Sequence, residues 1–275
     1  CFNMKCLLIG CGRMGSAIFK SIYRKKIFNK NEFFVVEPQQ KQQAKLKSLK
    51  INVFSKINEI KLEKRNFDVL ILAVKPQIIR EVTEDCKKNI NSNYLLISIA
   101  AGVTLNFFEN ILGNKSKVIR AMPNTPAEIG KGMTALIKSS KVSSNEKKIA
   151  EDIFNSMGKI LWLQKENLMD IVTAVSGSGP AYIFYIVEII VNAAVKAGLN
   201  KELASMIVSE MVMGSGSLLI DSKKQPNVLR REVTSPGGTT EVAINILQSK
   251  NTFSSIIQKA IYSAIKKSEE LSKNS

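Results

Sequence analysis

No histidine occurs among the 275 residues. A Ser-His-Asp triad, a Cys-His pair and any His-ligated metal site are therefore excluded. Cysteine is scarce. Cys1, Cys6, Cys11 and Cys86 show neither metal-ligand spacing nor the density of a disulfide scaffold, so reduced thiols of a cytoplasmic protein and no metal are expected. With 15 glycines and 7 prolines, a low-complexity or fibrous chain is excluded. No run reaches the roughly 18 uncharged apolar residues of a membrane span. The longest candidate, residues 182–195, contains Glu188 and Asn192 and reads as a buried helix. The start lacks a charged region ahead of an apolar one, unlike a secretory signal. Met4 is the expected natural start, after Cys1, Phe2 and Asn3.

What is present is apolar material for one or two domains: 45% hydrophobic residues and a mean hydropathy of +0.01. Lys and Arg number 40 against 23 Asp and Glu, a net charge of +17. Such a charge attracts phosphates and carboxylates, and nucleic acid is a second reading. The lysines are scattered over every expected helix and do not cluster with aromatics, which argues against nucleic acid. If the chain is an enzyme, its chemistry comes from a cofactor, hydroxyls, backbone amides, carboxylates or lysines.

Short apolar runs alternate with helix-like segments over the first half. Strands are expected at residues 5–9 (KCLLI), 33–37 (FFVVE), 51–54, 69–73, 94–100 (YLLISIA) and 118–121, with helices at 14–23 and 40–50. Continuous apolar strands imply a parallel sheet covered on both faces, the doubly wound α/β class. Residues 133–137 and 160–163 are further strands at the edge of that sheet. Beyond Gln164 the strand pattern stops. Helices are expected at 180–197, 203–221, 240–248 and 253–271, with Pro180 opening the first and Gly198 just past its end. Several are apolar on more than one face and need cover from other helices or a second subunit. The expected division is residues 1–164 and 165–275.

Ile9, Gly10, Cys11, Gly12, Arg13, Met14 and Gly15 form a G-x-G-x-x-G between a strand and a helix. Its glycines permit a tight turn and close approach of a pyrophosphate to backbone N–H groups. The alternative is a glycine turn needed only for packing. Glu37, followed by Pro38, ends the second strand, where a carboxylate accepts from ribose hydroxyls and repels a 2′-phosphate. It also reads as an ordinary solvated carboxylate, and Lys41 and Lys45 keep a phosphate reading open. Ala73, Val74, Lys75 and Pro76 follow one central strand, and Ile99, Ala100 and Ala101 follow the next. Each lies at the edge where such sheets bind ligands, though plain strand-end packing gives the same pattern. Ser235 and Pro236 read as an N-cap and first-turn proline, with Gly237 and Gly238 leaving N–H groups open to an anion.

With these pieces in order the chain resembles the pyrroline-5-carboxylate reductases. The resemblance rests on the blocks at 10–15, 73–76, 98–104 (SIAAGVT), 119–126 (IRAMPNTP), 175–182 (VSGSGPAY) and 235–241 (SPGGTTE). It implies an N-terminal Rossmann-type doubly wound sheet and a C-terminal all-helical dimerisation domain, with dimers that can build rings. The implied activity is reduction of 1-pyrroline-5-carboxylate to L-proline with NADH or NADPH, the last step of proline biosynthesis. The implied substrate residues are Ser235, Gly237, Gly238, Thr239 and Thr240. Amides of Thr239 and Thr240 meet the carboxylate, the Thr240 hydroxyl faces the ring nitrogen, and Ser235 and Thr240 are the catalytic candidates. Glu166 matches a position near bound substrate, or is a surface carboxylate. Asn124 is the polar group expected near the nicotinamide, or a turn former. Ser176 and Ser178 read as structural. Glu37 departs from the small or hydroxyl residues of many relatives and leans the cofactor towards NADH; Glu232 also departs and takes no role. A 3-hydroxyacid dehydrogenase shares the two-domain plan, but its lysine motif is missing here.

Overall fold

The structure, a computed structural model, describes residues 4–60, 66–91 and 93–273. These divide into two compact units: residues up to Ser178 together with those from Ala264 onward, and Gly179–Ser263. The segment 165–178 and the chain's last turns thus pack with the sheet, although expectation grouped them with the helices.

The first unit is built on an eight-stranded sheet of order β3-β2-β1-β4-β5-β6-β7-β8. The strands are β1 (Cys6–Ile9), β2 (Phe33–Val36), β3 (Asn52–Phe54), β4 (Val69–Leu72), β5 (Leu95–Ser98), β6 (Lys117–Met122), β7 (Gly132–Lys138) and β8 (Gly158–Trp162). Both faces are covered, which explains the unbroken apolar runs. Cys6 and Leu8 of β1 join one core with Ile18 and Ile22 of α1 (Arg13–Lys25) and Ile153 and Phe154 of α5 (Ser144–Asn155). Leu7 and Ile9 join the other, with Ile79 of α3 (Ile79–Asn89) and Phe108 of α4 (Leu105–Leu112). Helix α2 (Gln40–Ser48) follows β2.

Strands β1 to β6 pair in parallel, whereas β7 is antiparallel to β6 and β8 parallel to β7. The link from Met122 to Gly132 is too short for a parallel crossover, which takes about a dozen residues. Helix α5 supplies such a crossover for β8. It starts on a capping box in which Ser143 accepts from the Glu146 N–H and the Glu146 side chain reaches back to Ser143. Helix α6 (Leu168–Val172) runs into a π-helical turn, Thr173–Gly177, where the Ser178 N–H donates to the Thr173 carbonyl.

The second unit contains α7 (Gly179–Lys196), α8 (Lys201–Asp221), α9 (Pro226–Glu232), α10 (Thr239–Gln248) and the start of α11 (Thr252–Lys273). Gly198 closes α7 as expected, at φ +113°. Asn200 caps α8 by accepting from the Leu203 N–H. The expectation of a buried helix at 182–195 is corrected. No residue of α7 is buried in the single chain, and Phe184 and Tyr185 are each 63% exposed. Only Ala204 and Val208 are buried in α8. One chain supplies too little cover for helices that are apolar all round. Residues Leu168–Lys196 and Lys201–Asp221 are long and apolar enough to cross a membrane by length and composition.

Candidate active site

The glycine loop joins β1 to α1 at the point where the strand order reverses, between β1 and β4. Its three glycines have separate reasons. Gly10 sits at φ +88°, and a Cβ there would lie 2.6 Å from the Ala73 carbonyl oxygen. A Cβ on Gly15 would strike the Gly10 carbonyl. A Cβ on Gly12 would meet nothing within 4 Å. It would project into the space before the first turn of α1, whose N–H groups have no intrahelical acceptor and no side-chain cap.

A cleft of about 670 Å³ opens there, lined by Ile9, Gly10, Gly12, Glu37, Pro38, Ala73, Val74 and Lys75 among others. Pro76 starts a 3₁₀ turn that carries the chain off the end of β4. The structure therefore brings half of the expected cofactor residues to one place. Ile99, Ala100 and Ala101 follow β5 on the same sheet edge but outside the lining of this cleft. Cys11 offers no free amide, because its N–H donates to Glu37 Oε2 at 2.7 Å. Met14 packs against the core. Arg13 extends into solvent and pairs with Glu128 at 2.7 Å.

Glu37 is not the solvated carboxylate of the alternative reading. It is 4% exposed, and its Oε1 accepts from the Gln39 N–H at 2.9 Å. With Oε2 on Cys11, the carboxylate ties the end of β2 to the glycine loop. Gln42 adds a second tie, donating to the Cys11 carbonyl at 2.9 Å and to Ser16 Oγ at 2.7 Å. Sequence reasoning missed Gln42 and the cleft residues Ser55 and Lys56. The last two had a readable signal: they follow β3, whose end must lie at the same sheet edge. Lys41 and Lys45 do not line the cleft. Burial pushes the Cys6, Cys11 and Cys86 thiols up, so these three free cysteines stay protonated. Cys1 lies outside the described residues.

Two expected ligand residues have structural partners in the first unit. Glu166 Oε1 accepts from Arg120 Nη1 at 2.5 Å and from the Leu105 N–H at 2.7 Å. It is therefore not a free surface carboxylate. Arg120, on β6, is buried and was missed by sequence reasoning. Asn124 Oδ1 accepts from the Met133 N–H at 2.9 Å, and its Nδ2 donates to Ser176 Oγ at 3.3 Å. Gly177 packs against Met122; of the two serines read as structural, Ser176 accepts from Asn124 and the Ser178 N–H donates to the Thr173 carbonyl.

In the second unit the expected N-cap at Ser235 is corrected. Helix α10 starts at Thr239 with Gly238 as its cap residue. Ser235 instead opens a β-turn: the Gly238 N–H donates to the Ser235 carbonyl at 3.0 Å, with Gly237 at φ +72°. Proline and then glycine in the two central positions is the type II signature. The Gly237 and Gly238 amides are thus occupied, Gly237 donating to Glu241 Oε2 at 2.8 Å. The open amides are those at the start of α10, Thr239 and Thr240, with no side-chain cap over them. Ser235 and Thr239 are exposed and Thr240 is half-buried. Glu232 forms an exposed pair with Lys224.

A doubly wound sheet with a glycine loop opening an uncapped helix at its switch point defines a dinucleotide-binding, Rossmann-type protein. A family model described as NADP oxidoreductase coenzyme F420-dependent matches residues 5–102, and one described as pyrroline-5-carboxylate reductase dimerisation matches residues 166–271. The chain is 34% identical to the pyrroline-5-carboxylate reductase of Arabidopsis thaliana over 99% of this chain and 97% of that one. It is 34% identical to the Escherichia coli enzyme over 97% of both. Among solved structures, Plasmodium falciparum pyrroline carboxylate reductase with NADP bound matches at 35% identity and a TM-score of 0.87, covering 98% of both chains. The Coxiella burnetii enzyme matches at 33% identity and a TM-score of 0.87, covering 98% of this chain and 99% of that one. The chain belongs to the pyrroline-5-carboxylate reductase family.

Proposed function

We propose that the chain reduces 1-pyrroline-5-carboxylate to L-proline in the cytoplasm, as a homodimer able to assemble into larger rings. The observation that carries this reading is the open space at Gly12 before the uncapped start of α1. A pyrophosphate fits it, since the first N–H groups of α1 carry no side-chain cap. The N–H groups of Gly12, Arg13 and Met14 would hold the pyrophosphate. Glu37 and Pro38 would hold the adenosine ribose, and Ala73, Val74, Lys75, Pro76, Ile99, Ala100, Ala101 and Asn124 the nicotinamide half. When bound, the nicotinamide supplies a hydride.

The chain's own residues bind and orient the substrate. Open amides of Thr239 and Thr240 receive the substrate carboxylate at the helix start. The Ser235 hydroxyl lies in the preceding turn as a further donor, and Gly237 and Gly238 shape that turn. The Thr240 hydroxyl would hydrogen-bond the ring nitrogen. With no histidine in the chain and no strong acid assigned, the substrate arrives as its protonated imine or takes its proton from solvent. Catalysis is then mainly positioning.

Dimerisation through residues after about Gln164 covers the apolar faces of α7 and α8, with no lipid and no nucleic acid required. Glu37 favours NADH, because its carboxylate lies in the cleft where a 2′-phosphate would come. Reductase activity with pyrroline-5-carboxylate, measured with NADH and NADPH in parallel, tests the reading; no proline formation with either refutes it. Thr240→Ala removes the hydroxyl and keeps the amide. Turnover should fall by roughly 1.5–3 kcal/mol of barrier, with a smaller change in substrate affinity. A stable, active monomer in ultracentrifugation would overturn the dimer.

A further inference from the structure

The end of α11 reaches the turn that follows β5. Ser268 Oγ donates to Asp170 Oδ1 of α6 at 2.6 Å, and Ser272 Oγ lies 3.4 Å from the same oxygen. Ser268 is 3% exposed. Beside them, Gly102 stands at φ +74°, and a Cβ there would lie 2.8 Å from the Leu271 Cβ and 3.3 Å from the Ser272 nitrogen. The small residue at 102 therefore admits the backbone of α11 rather than a flat ligand ring. Two more bonds hold the same stretch. The Ala100 N–H donates to Ser98 Oγ at 3.3 Å, and the Leu105 N–H to Glu166. Ala100 is thus tied to its own strand, and α11 packs against Gly102, the residue that follows Ala101. Nothing in the chemistry assigned so far uses Asp170, Ser268 or Leu271.

We infer that Asp170, Ser268 and Leu271 are positioning residues: they dock the end of α11 against Gly102 and so fix the turn at 99–101 that faces the nicotinamide half of the cofactor. The inference rests on the proposed cofactor placement. It assigns the last helix a role in cofactor geometry besides its place in the region matched for dimerisation.

The test is cofactor affinity of the full-length protein, titrated by fluorescence without substrate, at a temperature well below unfolding. Ser268→Ala should weaken NADH or NADPH binding by about fivefold, the weight of one hydrogen bond. Binding of ADP-ribose, which lacks the nicotinamide, should be unchanged. Ser268→Thr, which keeps the hydroxyl, should restore wild-type affinity. Gly102→Ala, strained and blocked, is the harsher companion. Equal weakening of ADP-ribose, or unchanged NAD(P)H binding in Ser268→Ala, overturns the inference. Wild-type protein that binds neither nucleotide instead refutes the cofactor reading on which it rests.

Discussion

Glu166 separates a ligand contact from a structural one. Arg120 has a side chain 6% exposed and pairs with Glu166 at 2.5 Å, while the Glu166 side chain is 30% exposed. Glu166→Ala leaves a guanidinium almost without water and without its carboxylate. Breaking a fully buried pair costs about 3–5 kcal/mol, and water reaching the Glu166 side lowers that to roughly 2 kcal/mol. The Leu105 N–H also loses its acceptor, adding about 1 kcal/mol. A total near 3 kcal/mol corresponds to a fall in Tm of roughly 6–12 °C for a unit of this size. Glu166→Gln keeps an acceptor for both donors and should lose about half as much. Thermal unfolding read beside the KM for pyrroline-5-carboxylate decides the matter. An unchanged Tm with a strongly raised KM would refute the structural assignment and return Glu166 to the substrate.

Gly12→Val should fold normally, because a Cβ there meets nothing within 4 Å, and should abolish cofactor binding; a folded variant with unchanged affinity in a fluorescence titration would make the loop a packing turn. Glu37→Ser should raise the use of NADPH relative to NADH but weaken both, since the Cys11 and Gln39 amides lose their acceptors; Glu37→Gln should shift the ratio with less loss. Wild-type preference for NADPH in the paired assay would show that the carboxylate does not govern the choice, and Lys56, which follows β3 in the cleft lining, would then be a cation to test. Ser143→Ala should cost about 1 kcal/mol through the lost cap of α5. Burial works upward on the Glu146 carboxyl, but Lys117 and the Ser143 donors outweigh it and hold it below its ordinary 4.5. Its stabilisation is therefore full above that pH and lost as pH falls through the lower folded value; Glu146→Gln should flatten the acid limb of a Tm against pH curve.

Much of the sheet was legible because both of its faces are covered. A strand buried on both sides writes itself as an unbroken apolar run, as in Val69–Leu72. The direction of β7 was not legible, since a strand covered on both faces carries an apolar run whichever way it points; only the short link after Met122 decides it. The turn at Ser235 was legible but misread. Proline followed by glycine fits a first-turn proline and a type II turn alike, and the left-handed Gly237 settles it. For α7 the composition was readable and its exposure was not, because what covers an all-round apolar helix can lie on another chain.

The site divides along the same line. Gly10, Gly12 and Gly15 were readable because their requirement is local: one strained φ, one close carbonyl and one open approach, all set by the strand-loop-helix path. Glu37, Asn124 and Glu166 were readable as positions and not as partners. A carboxylate or amide in a motif looks the same in sequence whether it meets a ligand or a neighbour. Glu166 meets Arg120 and Leu105, far away in the chain, and Ser268 meets Asp170 across a still longer separation. No periodicity links such pairs, so only the folded chain brings them together. What separates the two kinds of residue is the state of the donor. The amides at the starts of α1 and α10 carry no side-chain cap, whereas Glu37, Asn124 and Glu166 are each engaged with a neighbour.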